Sequence, residues 1–423
     1  MPLRIRFLLS LLALCLLSPA ALHAQRKRKA QPQQPRLSVE ELMQAYRFTE
    51  AIAQLQTDVD AARRAGVPAN RQEADLRRAQ MGQSMLLGVE KVMVIDSMAV
   101  PRAALSSLMR PGTGCGTVMP MDEVKNLIDA PMARTGQTAY ANDWGDRLTY
   151  AAADSLQAPT RLYGAWREGN RWTSTGPLPG LDEEGMEYDF PYFLSDGVTL
   201  YFAAQGEESL GGYDIFRTRY DAGAKSYLKA EHLGMPFNSP ANDYLMVINE
   251  DAQLGWFVSD RFQPADSVCI YTFVPDNSPE TYLLTDSLRQ HITQVARLQC
   301  IALTQTDAQA VQQARMRYHN LRQTAATQGT ATGRYVICDD TVYHSLTQFK
   351  SEAARRIAME ADAVARKLTT ETAELDALQR TIGQGRRTAE MQLRLRELQQ
   401  DIPQLRDQLH TLQKNYRKAE LQQ

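Results

Sequence analysis

Histidine is scarce in this chain of 423 residues, and six are present in all. His232, His291, His319, His344 and His410 follow the N-terminal region, and none sits in an HExxH or other tight ligand spacing. A metal site is therefore not expected. The chain also lacks a Gly-x-Ser-x-Gly elbow, a phosphate-binding loop and a dinucleotide fingerprint, so no catalytic residue and no cofactor can be nominated. It lacks an excess of either charge: 47 basic residues face 49 acidic ones, and nothing in that balance calls for nucleic acid as a partner.

Long apolar runs are missing too, with one exception near the N-terminus. Arg4 and Arg6 precede the run Phe7 to Leu17, and the segment closes on Ala20-Ala21-Leu22-His23-Ala24. A basic start, a short apolar core and a small final residue describe a secretory signal peptide over 1–24, too short to span a bilayer comfortably. Leu14 is too bulky before Cys15 for a lipoprotein signal. The expected location is the periplasm or the outer-membrane surface. Cysteine is equally sparse: Cys115, Cys269, Cys300 and Cys338 remain beyond the signal. Two disulfides or four buried thiols both fit that number.

What is present is periodicity. Residues 25–37, with Arg26-Lys27-Arg28-Lys29, read as a solvated linker. Ser38 and Glu41 form a capping box, and Leu42, Tyr46, Ala51, Ile52 and Leu55 continue at helical spacing. Gly66-Val67-Pro68 separates this helix from a second over about 69–87, so 38–89 is expected to be a helical hairpin like one tetratricopeptide unit. Residues 284–344 read as helix followed by a strand-like piece at 334–343. From 345 to 423, apolar positions from Ile357 to Ile382 and from Met391 to Tyr416 alternate in threes and fours around Gly383-Gln384-Gly385. That spacing is a coiled-coil seam, either folded back as a hairpin or extended and oligomerising. Pro403 should kink the second helix.

Between these helical parts, over 90–283, one pattern recurs. Asp189-Phe190-Pro191-Tyr192-Phe193-Leu194 leads into Ser195-Asp196-Gly197, and Leu200-Tyr201-Phe202 follows. Aromatic runs joined by Asp-Gly signal a hairpin. Gly211-Gly212-Tyr213-Asp214-Ile215-Phe216 then supplies a loop and a third strand. Tyr140 to Ala152, turning at Gly145, and Tyr244 to Ser259 repeat the layout. The equivalent leucines Leu148, Leu200 and Leu254 lie roughly fifty residues apart, the interval of propeller blades.

These residues carry a resemblance. Ser195-Asp196-Gly197 with Leu200-Tyr201-Phe202, then Gly211 to Phe216, is similar to the WD40-like (PD40) repeat of TolB-type β-propellers. Leu233 to Asp243 resembles the inter-blade segment of such repeats in exported proteins of Bacteroidota. The likeness covers about 138–276; in the third copy Asp251-Ala252 replaces Asp-Gly, and Ala265-Asp266-Ser267 replaces the paired glycines. It implies a small β-propeller-like domain; with the helical readings above, the expected chain is mixed α and β, with an N-terminal helical hairpin, that domain and a C-terminal coiled coil. It also implies a place in the cell envelope, beside tetratricopeptide-like helices or peptidoglycan-binding domains. Propellers accompany serine peptidases as well, but no part of this chain is large enough to be the hydrolase.

Three copies are fewer than a closed propeller uses, and open sheet edges invite association. Val92 to Val100, read as a strand pair around Asp96-Ser97, is echoed by Tyr335 to Tyr343, and the two are expected to lie together and cover the array. Among candidate site residues, Gly145, Asp196, Gly197, Gly211, Gly212 and Asp214 are expected to serve turns and loops. The acidic run Asp182 to Asp189 reads as a solvated loop, and Trp256 as core. Trp144, Trp166 and Trp172 either stack on a glycan or pack between blades. The expectation is a non-enzymatic binding or scaffolding protein whose partner is another envelope protein, with self-association through the coiled coil. The alternative is a glycan- or peptidoglycan-binding protein.

Overall fold

The computed structural model describes residues 37–105, 111–112, 114–169, 171–276, 278–327, 335–338, 341–343, 346–383 and 388–422. The expected signal peptide, the basic linker up to residue 36 and residues 384–387 of the glycine break lie outside the described residues. The chain divides into a short unit ending at Ser38 and a second, Val39–Gln423, that holds every element below.

The second unit opens with α1 (Val39–Gln44), α2 (Phe48–Ala65) and α3 (Asn70–Met85). The sequence reads as one helix through Tyr46, but the chain breaks there, with Tyr46 at φ 59. The turn places the Tyr46 and Phe48 rings 5.5 Å apart in one buried cluster with Leu210, Met235, Ile292 and Val295. Side chains from outside the helices thus favour the break; burying one such ring contributes about 1.5–3 kcal/mol. Gly66, at φ 68, ends α2 by donating its N–H to the last turn.

Next come β1 (Met93–Pro101), β2 (Thr117–Pro120), α4 (Met121–Val124) and β3 (Ile128–Asp129). The three sequence copies follow as β4 (Arg134–Ala141), β5 (Arg147–Ala153), β6 (Arg161–Glu168) and β7 (Arg171–Pro177), then β8 (Glu187–Phe193), β9 (Thr199–Gln205) and β10 (Asp214–Asp221) with the short β11 (Ser226–Tyr227) and β12 (Glu231–His232), then β13 (Asp243–Asn249), β14 (Leu254–Ser259) and β15 (Ser267–Val274). Each copy forms its own sheet. The first has order β2-β4-β5-β6-β7-β3, the second β11-β10-β9-β8 with β12 on β10, and the third β1-β15-β14-β13. The fold is mixed α and β, with helices and curled sheets.

The leading strands face one another: β8 packs between β4 and β13. Tyrosines stitch this contact. Tyr192 donates its hydroxyl to the Ile248 carbonyl at 2.7 Å, and Tyr140 donates to Phe193 O at 3.2 Å. Pro111, Cys115 and β2 link the first and third sheets. Asn249 donates to Pro111 O, Cys115 Sγ lies 3.7 Å from Ile248 O, and β2 pairs with β4.

The segment Val92–Val100 is one strand, not a hairpin. It pairs antiparallel with β15 from Met93↔Val274 to Pro101↔Ser267, and Ile95 is bulged out of register. The Asp96-Ser97 turn is absent because the ladder with β15 runs straight through it. The outer edge of β1 is covered by α6 (Ala308–Thr327) and by the turn that links it to α5 (Arg289–Arg297): Thr304 Oγ1 accepts from Val94 N, Gln305 donates to Val94 O, and Arg315 donates to Ile95 O. Leu288 is exposed just before α5.

The echo strands β16 (Tyr335–Cys338) and β17 (Thr341–Tyr343) do not join β1. Among the described residues they pair only with each other, and they pack on the C-terminal helices α7 (Glu352–Gly383) and α8 (Ala389–Leu421). Tyr335, Phe349 and Tyr416 form an edge-to-face aromatic cluster there, and that burial outweighs any gain from extending the sheet. Helices α7 and α8 lie against one another, and α8 continues through Pro403. Glu420, near the end of α8, accepts from the backbone N–H groups of Lys350 and Ser351 at the start of α7. Cys115, Cys269, Cys300 and Cys338 are free thiols.

Candidate binding surface

The segment Leu233–Asp243 takes part in a buried polar network. Asp243 and Arg261 form an ion pair at 2.6 Å, with side chains 0% and 3% exposed. Arg261 also donates to Ser259 Oγ, Pro236 O and Phe237 O. Asp243 accepts in addition from the N–H and hydroxyl of Ser239. Burial pushes the Asp243 carboxyl up to about 6, against the attraction of Arg261.

Asp214 is fully buried and holds the preceding loop, accepting from Leu210 N at 2.5 Å and Gly211 N at 3.4 Å. His232 Nε2 lies 2.7 Å from Asp214 Oδ2, while its Nδ1 accepts from Gly234 N. That pairing selects the Nε2–H tautomer. Asn238 clamps β10, accepting from Ile215 N and donating to Ile215 O.

Asp189 corrects the expectation of a solvated acidic run. It is buried and accepts from Gln137 N, Thr138 N and Phe190 N, which ties the second sheet to the first. Burial raises it to about 6, and those backbone bonds hold it from going higher. Asp196 receives Val198 N, Thr199 N and the Thr199 hydroxyl across a turn in which Gly197 has φ 66. Burial raises its carboxyl, but these bonds outweigh it and the net shift is downward. The residue is spent on the turn.

The candidate residues divide between opposite ends of the strands. The turns at Gly145 and Asp196-Gly197 lie at one end, and the Gly211-Gly212 loop and Asp214 at the other. At the second end, a Cβ on Gly211 would collide with the Ala241 carbonyl, and one on Gly212 with Asn242. Only glycine admits so close a backbone approach. Beside this loop runs a pocket of about 520 Å³. It is lined by Arg78 of α3, by Arg134 and Gln157 of the first sheet, and by Glu187, Gln205 and Ser209 of the second, together with Gly185, Gly206, Gly211 and Gly212.

The three tryptophans belong to the other end and take three different roles. Trp172 is 3% exposed in the core of the first sheet, with Met121, Val124 and Ile128, and this corrects its candidacy as a binding aromatic. It faces that core because its neighbours on β7 alternate outward. Trp144 is half-buried, with the Arg417 guanidinium of α8 4.2 Å from its ring centre. Trp166 is 47% exposed, and Arg147 stacks 4.7 Å from its ring. Around this corner α8 docks on the first sheet. Arg167 pairs with Asp407, Arg406 with Glu123, and His410 lies against Gly145. His410 is held below its ordinary value by burial and then by Arg167 and Arg417.

No protein-family model matches the chain, and comparison with curated proteins and with solved structures likewise finds no match. The pocket brings together Gly211 and Gly212, which the sequence marked, with Arg78, Arg134, Gln157 and Gln205, which it did not. The one signal pointing to the latter group was the paired glycines themselves. Among the described residues, no cluster of three His, Cys, Asp or Glu side chains is arranged to hold a metal ion, and no helix is long and apolar enough to cross a membrane.

Proposed function

We propose that this chain is a non-enzymatic binding or scaffolding protein of the cell envelope, exported by its N-terminal signal, with a propeller-like array of three sheets and a C-terminal coiled-coil hairpin. The observation that carries this reading is the polar pocket of about 520 Å³ at the junction of α3 with the first two sheets. Its size falls in the range of about 300–1,000 Å³ usual for ligand sites. The Gly211 wall is held by the buried Asp214, which accepts from Leu210 N and Gly211 N, so that part of the site is fixed. The coiled-coil reading rests on the heptad spacing and on the packing of α7 against α8.

The glycan-binding alternative has one observation in its favour, the exposed Trp166 ring. Burial of Trp172 and the cover of Trp144 by Arg417 count against it, because sugar stacking uses an accessible aromatic platform. Cross-linking the tagged protein in intact envelopes, with identification of what is captured, tests the first reading. A defined set of envelope proteins, captured by the full chain and lost on Arg78→Glu or on Arg406→Glu, supports it. Saturable binding on a glycan array that disappears in Trp166→Ala replaces it with the second.

A further inference from the structure

The pocket beside Gly211-Gly212 has a chemistry of its own, and it makes the binding reading above specific. Two guanidinium groups line it. Arg134 uses Nη2 on the Ala158 carbonyl at 2.9 Å and on Glu187 Oε1 at 2.8 Å, while its Nε is buried with no hydrogen-bond partner among the described residues. Arg78, on the exposed side of α3, has only a long 3.4 Å contact to Asp75. Glu187, the acid lining the pocket, is engaged on both oxygens, by Arg134 and by Gln205 Nε2 at 3.0 Å. The pocket therefore keeps surplus positive charge and unspent donors.

The rest of the lining selects among anionic ligands. Four glycines, Gly185, Gly206, Gly211 and Gly212, line the wall with backbone; a Cβ would find open space at Gly185 and would strike the protein itself at the other three. The bare wall lets an extended main chain come close. Gln157 and Ser209 add side-chain groups that can both donate and accept, which matches the alternating N–H and C=O of a peptide. No aromatic ring lines the pocket, so the stacking platform that sugar recognition favours is missing from it. Helix α3 is held over the same loop by Arg77, 3.5 Å from Glu207, so a ligand here touches the helical hairpin and two sheets at once.

We infer that this pocket is a docking site for an extended acidic peptide segment, with Arg134 and Arg78 receiving carboxylates and the glycine-lined wall receiving the main chain. The inference rests on the binding reading for the site but not on the identity of an envelope partner.

The test is fluorescence anisotropy on the full-length mature protein. The probes are fluorescein-labelled peptides carrying two glutamates separated by one, two or three alanines. Glutamine analogues of each serve as neutral controls, and trigalacturonate serves as an acidic sugar. Saturable binding of one glutamate spacing, weakened about tenfold by Arg78→Glu and by Arg134→Gln, is expected. Arg78 is half-buried with one long contact to Asp75, so its variant keeps the fold whatever Arg134→Gln does. Failure of every spacing to saturate, equal binding of the glutamine analogue, or wild-type affinity in Arg78→Glu overturns the inference. So does arginine-dependent binding of trigalacturonate in place of the peptides. If the peptides fail while Arg78→Glu still captures the envelope partner, the peptide inference falls and the scaffolding reading survives with its contact elsewhere.

Discussion

Replacing Arg261 by methionine examines the buried network most directly. The side chain is 3% exposed and bonds Ser259, Pro236, Phe237 and Asp243. Removing one partner of a buried pair costs about 3–5 kcal/mol, and each orphaned carbonyl adds about 1–3 kcal/mol. Together these exceed about 5 kcal/mol, comparable with the whole stability of an ordinary domain. Adding Asp243→Leu removes the stranded carboxylate, so the double variant should regain about 2 kcal/mol or more over Arg261→Met alone. Urea unfolding followed by the fluorescence of Trp256, buried in the same sheet, reads both.

The pH dependence adds a sign. Burial holds Asp243 near 6 in the folded chain, against about 3.9 when unfolded. The native state thus binds this proton more tightly, so the contribution is favourable at low pH and is lost as pH rises from about 4 through about 6. Without Arg261 the carboxyl should titrate higher still, and lowering pH from about 7.5 to about 5.5 should partly rescue Arg261→Met. A cost under about 1 kcal/mol, no rescue by acid, or a double variant as unstable as the sum of the singles would refute the argument.

Three further outcomes are expected. Gly211→Ala should destabilise by about 1–3 kcal/mol, because the new Cβ strikes the Ala241 carbonyl; an unchanged melting temperature would show that the loop yields freely. Glu420→Gln should cost about 1–2 kcal/mol by weakening the cap on α7. Burial raises that carboxyl, but the bonds from Lys350, Ser351 and Tyr343 bring it below its ordinary value. Its stabilisation is then present above the unfolded value and lost as pH falls through the folded one, and the variant should flatten the acid limb of the stability profile. Arg167→Ala should loosen α8 from the first sheet, read as faster hydrogen exchange at residues 141–147 with slight change elsewhere; unchanged exchange would place the docking energy in other contacts.

Local signals were strong enough to read from the chain where one or two residues dictate the backbone. Asp196-Gly197 makes its turn with its own side chain and a left-handed glycine, and the recurrence of Leu148, Leu200 and Leu254 marks three sheets because each strand set pairs mainly within itself. Helices α2 and α3 were legible for the same reason, apart from the break at Tyr46, which apolar side chains beyond the helices help to decide.

Pairings between distant segments were not legible. Nothing in Val92–Val100 names β15 as its partner, since an alternating strand fits any edge of suitable register, and the choice rests on burial of Ile95 and cover by Thr304 and Arg315. The same holds for the surface. Trp144, Trp166 and Trp172 are alike in sequence, yet one is core, one lies under Arg417 of a helix more than two hundred residues away, and one is exposed. The amino-acid sequence by itself determined the repeats, turns and helical faces, because those depend on neighbours along the chain. Only the tertiary structure decided which sheet β1 completes, where α8 docks and that two arginines from separate elements share one pocket, because those depend on which surfaces exclude water together.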